Sequence, residues 1–180
     1  SIPRNVGQVP IYYNHVSTGR PPKADTDYTS RYLDTPWTPL YPFGHGLSYT
    51  SFAYDTPTLS TDSLVVGDTL TVEVQVTNTG DRTGTEVAQL YVEDPVAEVA
   101  RPVRELRDFA RITLDPGESQ TITFPITMED LAYVGRDTER RVDPGRFHLH
   151  VGTSSTDTQR ATFHLVGDTI LLPRPPVDRP

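Results

Sequence analysis

The chain has 180 residues, among them 17 Pro, 12 Gly, one Met and no Cys, and its 16 basic and 24 acidic side chains give a formal charge of −8. This length suits one domain with an appendage, and the lack of Cys excludes a disulfide framework, a thiolate metal site and a cysteine nucleophile. Charge is uneven: residues 1–54 sum to +1 and residues 55–167 to −9, which excludes a nucleic-acid binder built on clustered Lys and Arg, and no apolar run approaches the roughly 18–20 residues of a spanning helix.

Residues 1–54 are broken by Pro3, Pro10, Pro21, Pro22, Pro36, Pro39 and Pro42, and only Val9 to Tyr13 reads as a strand. The same segment holds Tyr12, Tyr13, Tyr28, Tyr32, Trp37, Tyr41, Phe43 and Tyr49. That density of rings is foreign to a disordered linker, so the segment is expected to lie on a neighbouring domain or partner. From Thr69 to Thr77 the apolar residues Leu70, Val72, Val74 and Val76 alternate with polar ones, the period of a strand with one buried face. Asn78 to Asp81 is a turn, and Thr85 to Glu93 a second strand ended by Asp94-Pro95. Phe109, Ile112 and Leu114 mark a third, followed by the turn Asp115-Pro116-Gly117-Glu118. Gln120 to Ile126 alternates again, with Pro125 admissible only at a sheet edge or strand end. After a helix-like turn at Met128 to Leu131, strands follow at Arg146 to Gly152 and Ala161 to Leu165, before a Pro-rich tail. About seven short strands without a long helix predict an all-β fold, an antiparallel sandwich of immunoglobulin or fibronectin III type.

The search for chemistry finds little. A glycosidase needs two carboxylates flanking the scissile bond, but Asp25, Asp27, Asp34, Glu129, Asp130, Asp137 and Glu139 stand in polar stretches and read as surface carboxylates. His148 and His150 share one side of a strand and with His164 could ligate a metal, yet if Phe147, Leu149 and Val151 face the core the two histidines face solvent. No metal and no cofactor is therefore assigned. His15 and His45 could meet a ligand or simply pack. Gly44 and Gly46 suit a sharp turn between domains better than a phosphate cradle. Tyr32, Trp37, Tyr41 and Phe43 fit either a sugar-stacking platform or interdomain packing.

Tyr41-Pro42-Phe43-Gly44-His45-Gly46-Leu47-Ser48-Tyr49-Thr50, with Phe52 and Tyr54, resembles the signature joining the second domain of family 3 glycoside hydrolases, the β-glucosidase and β-xylosidase group, to their fibronectin III-like domain. Ser1 to His15 is similar to the last part of that family's α/β sandwich domain, with a Gly-Arg-Pro element at Gly19 to Pro21. Val76 to Gly80, Glu86 to Val92, Arg104 to Leu106, Leu114 to Glu118 and Pro144 to Gly152 match the fibronectin III-like module in order. The resemblance implies four parts: residues 1–18 as the end of an α/β sandwich domain, 19–54 as an extended strap, 55–167 as the fibronectin III-like sandwich and 168–180 as a tail.

It further implies a retaining β-glycosidase, most simply a β-glucosidase acting on terminal β-D-glucosyl residues. Its nucleophilic Asp and acid/base Glu would belong to upstream barrel and α/β domains, and neither has a counterpart here. Those domains and an oligosaccharide or glycoside are the implied partners, with neither nucleic acid nor membrane among them and homo-oligomerisation left open. Tyr32, Trp37 and His45 are the implied substrate-bordering residues, and secretion or a periplasmic location is the family habit. Starting at Ser1, the chain is expected to be a processed or excised piece. The alternative is a stand-alone fibronectin III-like adhesion or carbohydrate-binding module.

Overall fold

The computed structural model describes residues 1–9, 11–23, 29–32 and 34–174; Asp25, Asp27, Tyr28 and the end of the tail, 175–180, lie outside the described residues. In chain order the elements are β1 (Phe52–Tyr54), β2 (Thr58–Leu59), β3 (Ser63–Val65), β4 (Leu70–Asn78), β5 (Gly84–Glu93), β6 (Glu105–Leu114), β7 (Ser119–Ile126), a single helical turn α1 (Met128–Leu131), β8 (Tyr133–Val134), β9 (Arg140–Val142), β10 (Gly145–Gly152), β11 (Thr158–Val166) and β12 (Ile170–Leu172).

Alternation builds the two main sheets. Leu70, Val72, Val74 and Val76 of β4 are at most 1% exposed, and β4 pairs along its whole length with β7 while β1 and β2 share its other edge. β7 is thus an edge strand, which is why it tolerates Pro125 with no N–H to give. The second sheet runs β3-β11-β10-β5-β6, antiparallel except for β3 beside β11. Ala88, Leu90, Ile112, Leu114, Phe147, Leu149, Phe163 and Leu165 project from it onto Val72, Val74, Ile122, Phe124 and their neighbours. Each such side chain contributes roughly 1.5–3 kcal/mol on burial, so the facing rows, not any one hydrogen bond, hold the sandwich shut. Phe147 and Phe163, opposite each other in register, stack at 5.4 Å.

Two further features lay beyond alternation. The stretch read as tail supplies β12, which joins β9 and β8 in a small third sheet. Val9 to Tyr13 forms no strand among its described residues: the chain turns at Tyr13-Asn14, and the leader's ladder pairing is confined to isolated bridges, Ile2 with Tyr41 and Val16 with Pro102. β10 does turn Phe147, Leu149 and Val151 inward, but His150 is 6% exposed and does not face solvent. Its Nε2 lies 2.7 Å from the Glu93 carboxylate, and its cross-strand neighbour Tyr91 is itself covered by Tyr13.

Asn78 closes one end of the sandwich. It is fully buried, and its side-chain amide donates to the carbonyls of Arg82 (2.7 Å) and Leu114 (2.9 Å). Its Oδ1 accepts from the Thr50 hydroxyl (2.6 Å) and the Gly80 N–H (3.1 Å). Four groups on three segments are satisfied by one residue. Asn78→Ala would leave buried donors and acceptors unpaired, at about 1–3 kcal/mol each before relaxation. A loss of roughly 2–4 kcal/mol in urea unfolding of the chain is expected, and the same change at half-buried Thr77, whose hydroxyl bonds Ser119, should cost under about 1 kcal/mol.

Candidate functional site

The leader folds back on itself before it meets the sandwich. Gln8, wholly buried, accepts from the Arg4 N–H (2.6 Å) and donates to the carbonyls of Pro36 (2.6 Å) and Thr38 (2.9 Å). Ile2 and Tyr41 are paired through the main chain. This clasp brings residues 1–9 beside 36–41 without regular structure, as a chain so rich in Pro requires.

The clasp is then fixed to the outer face of β5. Gln89 donates to the carbonyls of Gly44 (3.0 Å) and Thr153 (2.7 Å) and accepts from the Tyr91 hydroxyl (2.5 Å). Ser155 N–H donates to the Phe43 carbonyl at 2.9 Å, and the Arg104 guanidinium donates to the Ser155 carbonyl. Tyr13 stacks on Phe43 at 4.2 Å and meets Tyr91 edge-on at 6.0 Å. Burial pushes the Tyr91 phenol up to about 12 and holds the Arg104 guanidinium below its usual range. Part of the ring-rich leader therefore packs on this chain's own sandwich, whereas Leu47 and Tyr49 remain 94% and 93% exposed.

The leader surrounds a cleft of about 550 Å³, lined by Tyr12, His15, Arg31, Tyr32 and Trp37, among others, and met from the sandwich by Val103. Its sandwich-side wall is placed by Arg101. That buried guanidinium holds Asp94 (3.0 Å), Glu105 (2.7 Å) and the Leu131 carbonyl (3.0 Å) and lies over the Tyr133 ring. The loop so fixed presents Val103, whose N–H donates to the His15 carbonyl at 2.8 Å. Burial outweighs the pull of Arg101 and leaves the Asp94 carboxyl above its ordinary range.

Tyr32 and Trp37 are thus brought together, half-buried, in one cleft. His45 is not: it stacks on Tyr41 at 4.9 Å, exposed. Gly44, with φ +81°, makes the turn there. Val103 and Gln89 escaped sequence reasoning, Val103 because it stands in a loop and Gln89 because an outward strand residue reads as solvated. The scattered carboxylates do structural work: Asp130 accepts from the Thr127 N–H and hydroxyl, Glu129 holds Arg140, Asp137 holds Arg141 and Glu139 holds Arg174. Among the described residues no group of three His, Asp or Glu could hold a metal ion, and no helix is long and apolar enough to cross a membrane.

The fibronectin type III-like domain family matches residues 86–155. The chain is 44% identical over 168 residues to the periplasmic β-glucosidase of Salmonella typhimurium, covering 92% of this chain and 22% of that protein. It is 43% identical over 169 residues to a β-xylosidase of Formosa agariphila, again covering 92% and 22%. The crystal structure of a β-glucosidase from Listeria innocua in complex with glucose superposes with a TM-score of 0.87 at 40% identity, over 92% of this chain and 23% of that one. The proteins that the chain matches are family 3 glycoside hydrolases. It matches their C-terminal portion and spans about a fifth of the length of the curated relatives.

Two outcomes follow for this clasp. A Cβ at Gly44 would run into the Gln89 amide and sit at a positive φ, a strain of roughly 1–2 kcal/mol. Gly44→Ala is expected to speed proteolytic cutting of residues 29–46 about 5–30-fold under native conditions, with the sandwich left intact. The hydrogen bond from His150 holds the Glu93 carboxyl below its usual range, so its contribution to stability is present above pH about 4.3 and fades as pH falls through the lowered folded value. Glu93→Gln should destabilise the chain at pH 7, and the difference from wild type should vanish in unfolding curves taken near pH 2.

Proposed function

We propose that this chain serves as the C-terminal part of a retaining β-glycosidase, a β-glucosidase before a β-xylosidase, that removes terminal non-reducing β-D-glucosyl residues from oligosaccharides or glycosides. What carries the reading is the 44% identity to a periplasmic β-glucosidase over nearly the whole chain but only 22% of that enzyme. Both carboxylates that such a mechanism requires would stand in the remaining part. The division of labour keeps the boundaries read from the sequence: residues 1–18 end an α/β sandwich domain, 19–54 strap it down, 55–167 form the fibronectin III-like sandwich and 168–180 the tail.

The segment's work is to hold the catalytic part together and to border the outer substrate subsite with Tyr32 and Trp37, whose ring faces suit the C–H face of a sugar. His45, stacked on Tyr41 away from that cleft, would act at a separate point of the same border. A location outside the cytoplasm, secreted or periplasmic, accords with the relative's name. The exposed Leu47 and Tyr49 are surfaces for the rest of the enzyme rather than for solvent, which speaks against a stand-alone adhesion module.

The purified 180-residue chain is expected to show no turnover of an aryl β-glucoside, and turnover by it alone would refute the assignment. In the full-length enzyme, Tyr32→Ala and Trp37→Ala should each lower kcat/KM for a disaccharide about 5–30-fold, chiefly through KM. An unchanged KM for both would remove the cleft from the substrate path.

A further inference from the structure

Val103 meets the cleft from the loop that joins β5 to β6, and packing does not hold that loop. It curls round a second hollow of about 400 Å³, lined by every residue from Glu93 to Val103 and by Ser17 of the leader. None of its side chains, from Asp94 to Arg104, joins the hydrophobic core. With open space inside the curl and the cleft at Val103, the position of the loop is set by its tethers. Arg101 is one of them.

A second tether comes from the third sheet and reaches the middle of the loop. The Glu98 N–H donates to the Tyr133 hydroxyl (3.3 Å), and that hydroxyl donates to the Asp143 carboxylate, so one oxygen serves both. Tyr133 is only 9% exposed, and the Arg101 guanidinium lies 5.1 Å over its ring. A single side chain therefore meets the loop at Glu98 and again at Arg101. Its footing is firm, because it follows Leu131 and Ala132, and Asp143 follows Val142, all three of them core residues. Asp143 also accepts from the Thr169 hydroxyl (2.7 Å) and from Arg141 (3.3 Å). Although burial favours its neutral form, the bonds from Tyr133, Thr169 and Arg141 hold the Asp143 carboxyl below its ordinary range, which keeps it a charged acceptor.

Arg141 and Arg136 reach Glu98 as well, at its carboxylate (2.9 Å) and its carbonyl (3.2 Å). Arg136 is 75% exposed, and Arg141 divides itself among Glu98, Asp137 and Asp143. Solvated pairs of this kind hold weakly, whereas water does not make good the partners that a buried hydroxyl loses. We propose that Tyr133 is a positioning residue of the cleft, which sets Val103 by tying the β5–β6 loop to the third sheet and, through Asp143, to Thr169 just ahead of β12. That placement matters for turnover only on the reading of the cleft as a border of the outer substrate subsite.

In the 180-residue chain the Val103 N–H donates to the His15 carbonyl, so its hydrogen exchange, followed by NMR, reports opening of the wall. Tyr133→Phe, which removes the hydroxyl and keeps the ring, is expected to speed exchange at Val103 and Glu98 about 5–20-fold, with the core amide of Val74 unchanged. Thr169→Val should speed it less, about 2–5-fold. Thr83→Val drops a similar hydroxyl-to-carboxylate bond, to Asp115 (2.6 Å) beyond the far end of β6, and should leave Val103 as it is. In the full-length enzyme Tyr133→Phe should raise KM for a disaccharide about 3–10-fold at unchanged kcat, a split that a merely weakened fold would not give. Exchange at Val103 that Tyr133→Phe leaves unmoved, that Thr83→Val moves equally, or that rises together with exchange at Val74 would overturn the proposal. So would an unchanged KM in an enzyme whose KM Trp37→Ala does raise. If exchange responds but neither variant shifts KM, the tie from Tyr133 to Val103 stands and the assignment of the cleft to the substrate path falls.

Discussion

The Gln89 side chain is taken out of water by the leader that it holds, and each of its bonds depends on the others. Its amide group reaches Gly44 and Thr153 while Tyr91 fixes the carbonyl oxygen, and Tyr91 is itself met edge-on by Tyr13, on which Phe43 stacks. A buried amide left half-bonded costs about as much as the contact gains. The leader therefore either sits in this place or comes away over a long stretch, and the cleft beneath Trp37 exists only in the first state.

A second buried polar group, Arg101, does for the sandwich-side wall what Gln89 does for the leader. Its two carboxylates, Asp94 and Glu105, flank the loop at either end, so that the path of Pro102 and Val103 is drawn tight between them. Removing such a guanidinium strands Asp94 in a poorly solvated place, while Glu105 keeps Arg107. Geometry at the cleft is thereby set by charge on one side and by neutral hydrogen bonds on the other.

Period-two alternation made β4, β7, β10 and β11 readable in the sequence, because each has one face in the core and enough residues to repeat the pattern. β5, buried on both faces from Ala88 to Val92, was instead readable from its Val, Leu and Tyr content. β1, β2, β3, β8, β9 and β12 have two or three residues each, too few for any period; β1, β2 and β3 form on the edges of longer strands, and β8, β9 and β12 on one another. The charged start of β6, Glu105-Leu106-Arg107-Asp108, hides a strand whose ladder shifts register opposite Leu90 and Tyr91. Inward and outward facing was legible at His148 and His150, but exposure was not, since what covers an outward face comes from far along the chain. The same holds at the cleft. Tyr32 and Trp37 announced themselves as rings without a core, while His45 was drawn in by its glycine neighbours and Val103 by nothing at all.

The sandwich and the clasp hold the leader mainly by its carbonyl oxygens: Pro36 and Thr38 take Gln8, Phe43 takes Ser155, Gly44 takes Gln89 and His15 takes Val103. Every residue type offers that oxygen. The path of the strap is consequently written in the groups that grip it, and most of its own side chains are released from the task of keeping it in place. Such a segment can exchange its outward residues freely while keeping its path, with Gly44 as the point where that freedom stops.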